Sequence, residues 1–240
     1  MKMVYPRIGI IDSGLSLNIN GMDYSKISYI DNDANIDIIG HGTKIAYIIN
    51  TICPNAELKI IKIFKEKLVT TTGSVLRALQ KCEREGIDII CLSTSITNFN
   101  NYKIIEDVCT KIIKNNIIII SSAHNFKIPC LPAYIDGVYG VGISYTPKMD
   151  DMFFCPNDDI QLYAKGLEVT VPSKKGKFIK VNGTSYATAV AVGNIANIVS
   201  EFGMENLDKY MRKYFMNQNA KIMKCENFDF ISCKGGNNVY

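Results

Sequence analysis

Nothing at the start of this chain has the form of an export signal. Residues 1–7 lack an apolar core and Pro6-Arg7 interrupts them, so a cytoplasmic protein is expected. Long hydrophobic runs are also missing. The longest, such as residues 117–120, fall far short of the roughly 20 residues that span a bilayer, and no membrane is expected as a partner. Clustered positive charge is scarce. The net charge is +4, thinly spread, and the densest basic stretch, Lys174-Lys175-Gly176-Lys177, reads as a solvated hairpin turn, so nucleic acid is not an expected partner either. Cysteine is present but unpatterned. Cys53, Cys82, Cys91, Cys109, Cys130, Cys155, Cys225 and Cys233 form no CxxC pair and several lie in apolar runs. That argues against a zinc site or a disulfide framework and for reduced thiols. Asp31-Asn32-Asp33 is a fragment of a calcium loop at most and is read as a turn. No metal and no cofactor are expected. There is no internal repeat and no long linker, so residues 1–240 are read as one domain, with 216–240 a polar C-terminal tail.

What is present is the pattern of a parallel α/β sheet. A chain of 240 residues can bury a sizeable core without staples, and 47% apolar with 21% charged residues is ordinary for a globular domain. Short apolar runs at 8–11, 58–64, 87–92, 117–120 and 138–143 read as strands. Helical spacing falls between them. Ser74 is a candidate N-cap for a helix that presents Val75, Leu79 and Cys82 on one face and stops at Gly86. A second helix over 102–114 would share Ile104, Val108 and Ile112 on a face. Residues 150–181 read as a meander, 185–200 as a long Ala- and Val-rich helix, and 206–215 as a further helix.

Three tripeptides carry chemistry: Asp12-Ser13-Gly14 after the first strand, His41-Gly42-Thr43 opening a helix, and Gly183-Thr184-Ser185 opening another. Taken singly they are a strand-ending turn, a structural histidine (one of only two, with His124) and a helix N-cap. All three in this order arise by chance in roughly 1 chain in 30,000. Acyl transfer supplies the reason to group them. A serine hydroxyl needs a base to take its proton, and the base needs a carboxylate to hold its tautomer and stabilise the imidazolium. The first-turn amides of a helix at Ser185 would point toward developing negative charge.

The order Asp, His, Ser is that of subtilisin, and the chain resembles the subtilisin-like serine protease (subtilase) family over residues 8–193. Residues 54–58 resemble the segment leading into the strand after the histidine helix. Residues 88–93 resemble the strand whose end lines the substrate cleft. Ser121-Ser122-Ala123-His124-Asn125 is similar to the family's Ala-Ala-Gly-Asn stretch, and Gly183-Thr184-Ser185-Tyr186-Ala187-Thr188-Ala189 to its nucleophile motif. The resemblance implies an α/β three-layer fold with a mostly parallel central sheet. It implies Asp12, His41 and Ser185 as a catalytic triad, and Asn125 with the Ser185 amide as the oxyanion hole. Ser93, Thr94, Ser95 and His124 would line the substrate cleft.

This sequence departs from the family pattern at several places. Lys44 stands where a second histidine is usual, His124 where glycine is usual, and Ser93-Thr94-Ser95-Ile96 replaces Ser-Leu-Gly-Gly. Ala189 replaces a proline, and Ala164-Lys165-Gly166 replaces Ala-Pro-Gly. If His124 walls the pocket for the side chain before the scissile bond, cleavage after large aromatic residues should be poor. Asp12 lies eleven residues after Met1, so no folding pro-segment is expected. The implied activity is a serine endopeptidase acting on a peptide or protein, a selective processing enzyme such as a leader peptidase for a modified peptide. Two alternatives stand beside it: acyl transfer to an amine on the same triad, giving ligation or macrocyclisation, and an inactive peptide-binding homologue. The sequence specifies no oligomeric state.

Overall fold

The computed structural model describes residues 5–16, 19, 22–174 and 176–216. The tail expected from 216 onward therefore lies, beyond Met216, outside the described residues, together with Cys225, Cys233 and Lys175.

Eight strands form one sheet. In chain order they are β1 (Arg7–Asp12), β2 (Ile27–Tyr29), β3 (Glu57–Lys62), β4 (Ile89–Leu92), β5 (Ile118–Ser122), β6 (Tyr139–Ser144), β7 (Met152–Phe154) and β8 (Leu162–Lys165). Their spatial order is β2-β3-β1-β4-β5-β6-β8-β7, and every pairing is parallel except β7 with β8. Parallel strands need crossovers that cover the sheet, so their runs are apolar on both faces. In β1, Ile8 and Ile10 face one core, and Ile11 faces the other. In β4, Ile89 and Cys91 join the first core, Ile90 and Leu92 the second. The first core is capped by helices α1 (His41–Ile52) and α4 (Thr184–Phe202), the second by α2 (Thr72–Arg84) and α3 (Tyr102–Lys114). The layers are helix, sheet, helix. A separate hairpin, β9 (Val169–Pro172) with β10 (Phe178–Val181), and α5 (Leu207–Met216) complete the described chain.

The elements follow the sequence pattern with corrections. The α2 cap is Thr71, whose Oγ1 accepts the Ser74 N–H at 3.1 Å, so Ser74 lies inside the first turn. On α3 the buried stripe is Ile105, Cys109 and Ile112, one residue round from the expected face at its first two positions. Ile104 is 55% exposed and Val108 half-buried, because the sheet meets the helix on the side of Ile105. The stretch 150–181 is only partly a meander, since β8 pairs parallel to β6 before β7 returns antiparallel on its other edge. The short strand β2 gives no periodic signal and was not expected. The basic turn is a hairpin turn, with the Gly176 N–H donating to the Ser173 carbonyl at 3.0 Å. In the Asp31 turn the carboxylate is taken up by the Lys62 N–H, at 3.0 Å, and by the Lys81 ammonium.

Helix α4 is buried nearly all round. It lies so close to α1 that a Cβ on Gly193 would stand 2.7 Å from the Ile52 Cβ. That approach brings the N-terminal ends of both helices to the carboxyl edge of the sheet, where ligands bind in open α/β folds. Among the described residues no helix is long and apolar enough to cross a membrane.

Candidate active site

Asp12 is the last residue of β1 and is fully buried. A buried carboxylate needs donors, and this one has them. Its Oδ1 accepts the Ser13 N–H at 2.7 Å, the Ser13 hydroxyl at 3.1 Å and a contact from His41 Nδ1 at 2.8 Å; Oδ2 lies 3.0 Å from the same nitrogen. His41 opens α1 and is 6% exposed. The strand end and the helix start are locked together, because the Gly42 N–H donates to Ser13 Oγ at 2.9 Å. Residue 42 has to be glycine here, since an added Cβ would lie 2.3 Å from the Gly14 carbonyl oxygen.

A second buried carboxylate fixes the same helix start. Asp37 is 3% exposed, and its oxygens accept the Gly40 N–H at 2.6 Å, the Thr43 N–H at 2.8 Å and the Thr43 hydroxyl at 2.6 Å. Thr43 Oγ1 in turn accepts the Ser16 N–H at 3.0 Å, tying the segment after β1 to the same turn. Asp37 caps α1 from four positions before His41, a role no sequence motif announced. The available signal was an acid followed six residues later by Thr43, too loose a spacing to stand out.

Ser185 is the second residue of α4 and half-buried. No hydrogen bond joins it to His41. The next residue makes the link: the Tyr186 ring lies 5.5 Å from the imidazole, tilted 47°. Burial, and then the Asp12 carboxylate, push the Tyr186 phenol up to about 12. Asn125 follows β5, and its Oδ1 accepts the Thr184 N–H at 2.9 Å and the Thr184 hydroxyl at 3.0 Å. With the carbonyl end of its amide held by the residue before Ser185, its NH2 end is presented beside the start of α4.

Ser93, Thr94 and Ser95 run out from the end of β4 and join the far side of the site through paired bonds between Ile96 and Leu131, at 2.9 and 2.8 Å. His124 follows β5, between Ala123 and Asn125. It lines a cavity of about 700 Å³ with Gly142, Ile143, Tyr163, Leu167 and Thr184, on the β6–β8 side of the Asn125 loop. Ser93–Ser95 are not among that cavity's lining residues. Its Nδ1 accepts the Phe126 N–H at 3.2 Å, so that nitrogen is not left unpaired.

An Asp–His pair at the carboxyl edge of a parallel sheet, with a serine in the first turn of the helix that packs beside it, has the layout of a serine hydrolase. The profile of the Subtilase family matches residues 6–235. The chain belongs to that family and is a subtilisin-type serine endopeptidase. It is 23% identical over 213 residues to subtilisin DY of Bacillus licheniformis, covering 82% of this chain and 77% of that one. In solved structures it resembles the nisin leader peptidase NisP from Lactococcus lactis, with a TM-score of 0.70 and 17% identity, over 90% of this chain and 83% of the other. It also resembles the prenylagaramide maturation protease PagA, with a TM-score of 0.67 and 20% identity, over 81% and 75% of the two chains.

Proposed function

We propose that Ser185 is the nucleophile of this endopeptidase, His41 its general base and acid, and Asp12 the group that orients His41. In this reading His41 takes the Ser185 proton as the hydroxyl attacks a peptide carbonyl, and then returns it to the departing amine. Water repeats the cycle on the acyl-enzyme. The Asn125 NH2 group and the Ser185 N–H receive the carbonyl oxygen as it becomes an oxyanion. Ser93–Ser95 offer backbone to the extended peptide. The observation that carries this reading is the buried Asp12–His41 contact at 2.8 Å, set beside an Asn125 amide anchored to Thr184. The lack of a Ser185–His41 hydrogen bond is compatible with it, since catalytic hydrogen bonds often tighten only around substrate.

The biological role we infer is selective processing of a peptide precursor in the cytoplasm by a single-domain enzyme needing no metal or cofactor. The likeness to a leader peptidase and to a maturation protease supports leader removal from a modified peptide. The departures at Lys44, Ser93–Ile96 and His124 support selectivity over broad digestion. The test is incubation with a defined peptide library, reading products by mass spectrometry. Cuts confined to a narrow sequence context are the expected result, whereas cuts throughout the library would contradict selective processing. Products lacking the mass of the added water would show transfer to an amine in place of hydrolysis.

A further inference from the structure

Beside the His41 helix lies a second cavity, of about 590 Å³, between the start of α1 and the β9–β10 hairpin. Asp37, Gly40, Thr43 and Lys44 line it from one side, Lys174 and Phe178 from the other. Two lysine side chains line this space. The Lys174 ammonium reaches across to the Ile38 carbonyl. Lys44 is half-buried and forms no hydrogen bond or ion pair with any described residue. Asp37 lines the same cavity, but its oxygens accept the Gly40 N–H, the Thr43 N–H and the Thr43 hydroxyl and form no ion pair with Lys44. Burial pushes the Lys44 ammonium below the usual lysine range; Asp37 opposes this, Lys174 adds to it and Asp12 opposes it more weakly. A half-buried cation in a cavity, beside a like charge and without a direct partner, is poorly compensated until an anion arrives.

We propose that this cavity is an acidic-residue subsite: it receives an aspartate or glutamate side chain of the peptide substrate, with Lys44 as the principal contact and Lys174 as the second. The inference rests on the protease reading. Lys44 is three residues along α1 from His41, a rise of about 4.5 Å. An extended peptide advances about 3.3 Å per residue. The acidic side chain therefore belongs within about three residues of the scissile bond. The hairpin supplies the opposite wall, with Phe178 packed on Tyr47 of α1 at 6.1 Å between rings, so the space is bounded by folded elements on both sides.

The test uses matched peptides that carry Glu or Gln at one position, moved stepwise along three residues on either side of the cut. For the wild-type enzyme, kcat/KM at one of these positions should favour Glu by about tenfold, the scale of a charge-assisted contact. In Lys44→Met that ratio should fall to near one, and in Lys44→Arg most of it should return. Lys174→Gln should reduce it partially. The same peptides, fluorescently labelled, are titrated against Ser185→Ala and against Ser185→Ala combined with Lys44→Met. This arm reads the subsite even where no cut is made, so loss of cleavage with retained Glu preference in binding would count against the protease reading alone. Equal affinity for Glu and Gln peptides at every position, or a preference that survives Lys44→Met in a variant with wild-type melting, overturns the subsite.

Discussion

His41 stands between two buried carboxylates with different duties. Asp12 touches the imidazole itself, while Asp37 touches only the helix turn that carries it. Removing Asp37 leaves two backbone N–H groups and a hydroxyl unpaired in a buried place. Asp37→Ala should therefore cost about 2–3 kcal/mol of stability, measured by urea unfolding, and lower kcat through a displaced His41. An unchanged melt would mean that water replaces the carboxylate at no cost. In the proposed mechanism Asn125 acts at another step, its amide meeting the substrate oxygen as charge develops, so Asn125→Ala should lower kcat by about 10²–10³ with little change in KM. A pure KM effect would assign Asn125 to ground-state binding.

At the scale of elements, the site depends on how closely α1 and α4 approach. Gly193 sets that distance, since its missing side chain leaves room for Ile52 of α1. Gly193→Ala should destabilise by about 1–3 kcal/mol, because the atom it strikes is a Cβ fixed to the neighbouring helix, and the shift should spread to His41 and Ser185. Activity unchanged alongside a lowered Tm would show that the clash is absorbed away from the site. The same scale shows what the sequence could express. The runs 8–11 and 87–92 were legible as strands because parallel strands are apolar on both faces. The helix over 102–114 was legible by length and spacing. Its buried face was not, since Ile104 and Ile105 are chemically alike and only the packing partner distinguishes them. Likewise Thr71 and Ser74 are both capping residues, and the turn geometry selects between them. Chemistry that demands a residue type singled out Asp12, His41 and Ser185 in the sequence, and of these the structure joins Asp12 to His41 directly. Support from a lone residue in a loop, as with Asp37, was not legible.

For the molecule as a whole, the core has no covalent cross-link among the described residues. Cys53, Cys82, Cys91, Cys109 and Cys130 are buried free thiols, and Cys155 is half-buried. Burial pushes Cys130 up to about 11, and Cys91 and Cys109 up to about 12, far from the thiolate that reacts. Dithiothreitol should therefore leave Tm unchanged, and a fall of several degrees would reveal a disulfide that constrains the unfolded chain. The central claim is that this fold makes Ser185 a nucleophile through His41 and Asp12, and an active-site-directed fluorophosphonate tests it most directly. The wild-type protein should take up one equivalent, located at Ser185 by mass spectrometry, while Ser185→Ala takes up none and His41→Ala reacts far more slowly. Labelling that persists in a folded Ser185→Ala variant, or a wild-type protein that melts normally and does not label, would contradict the account.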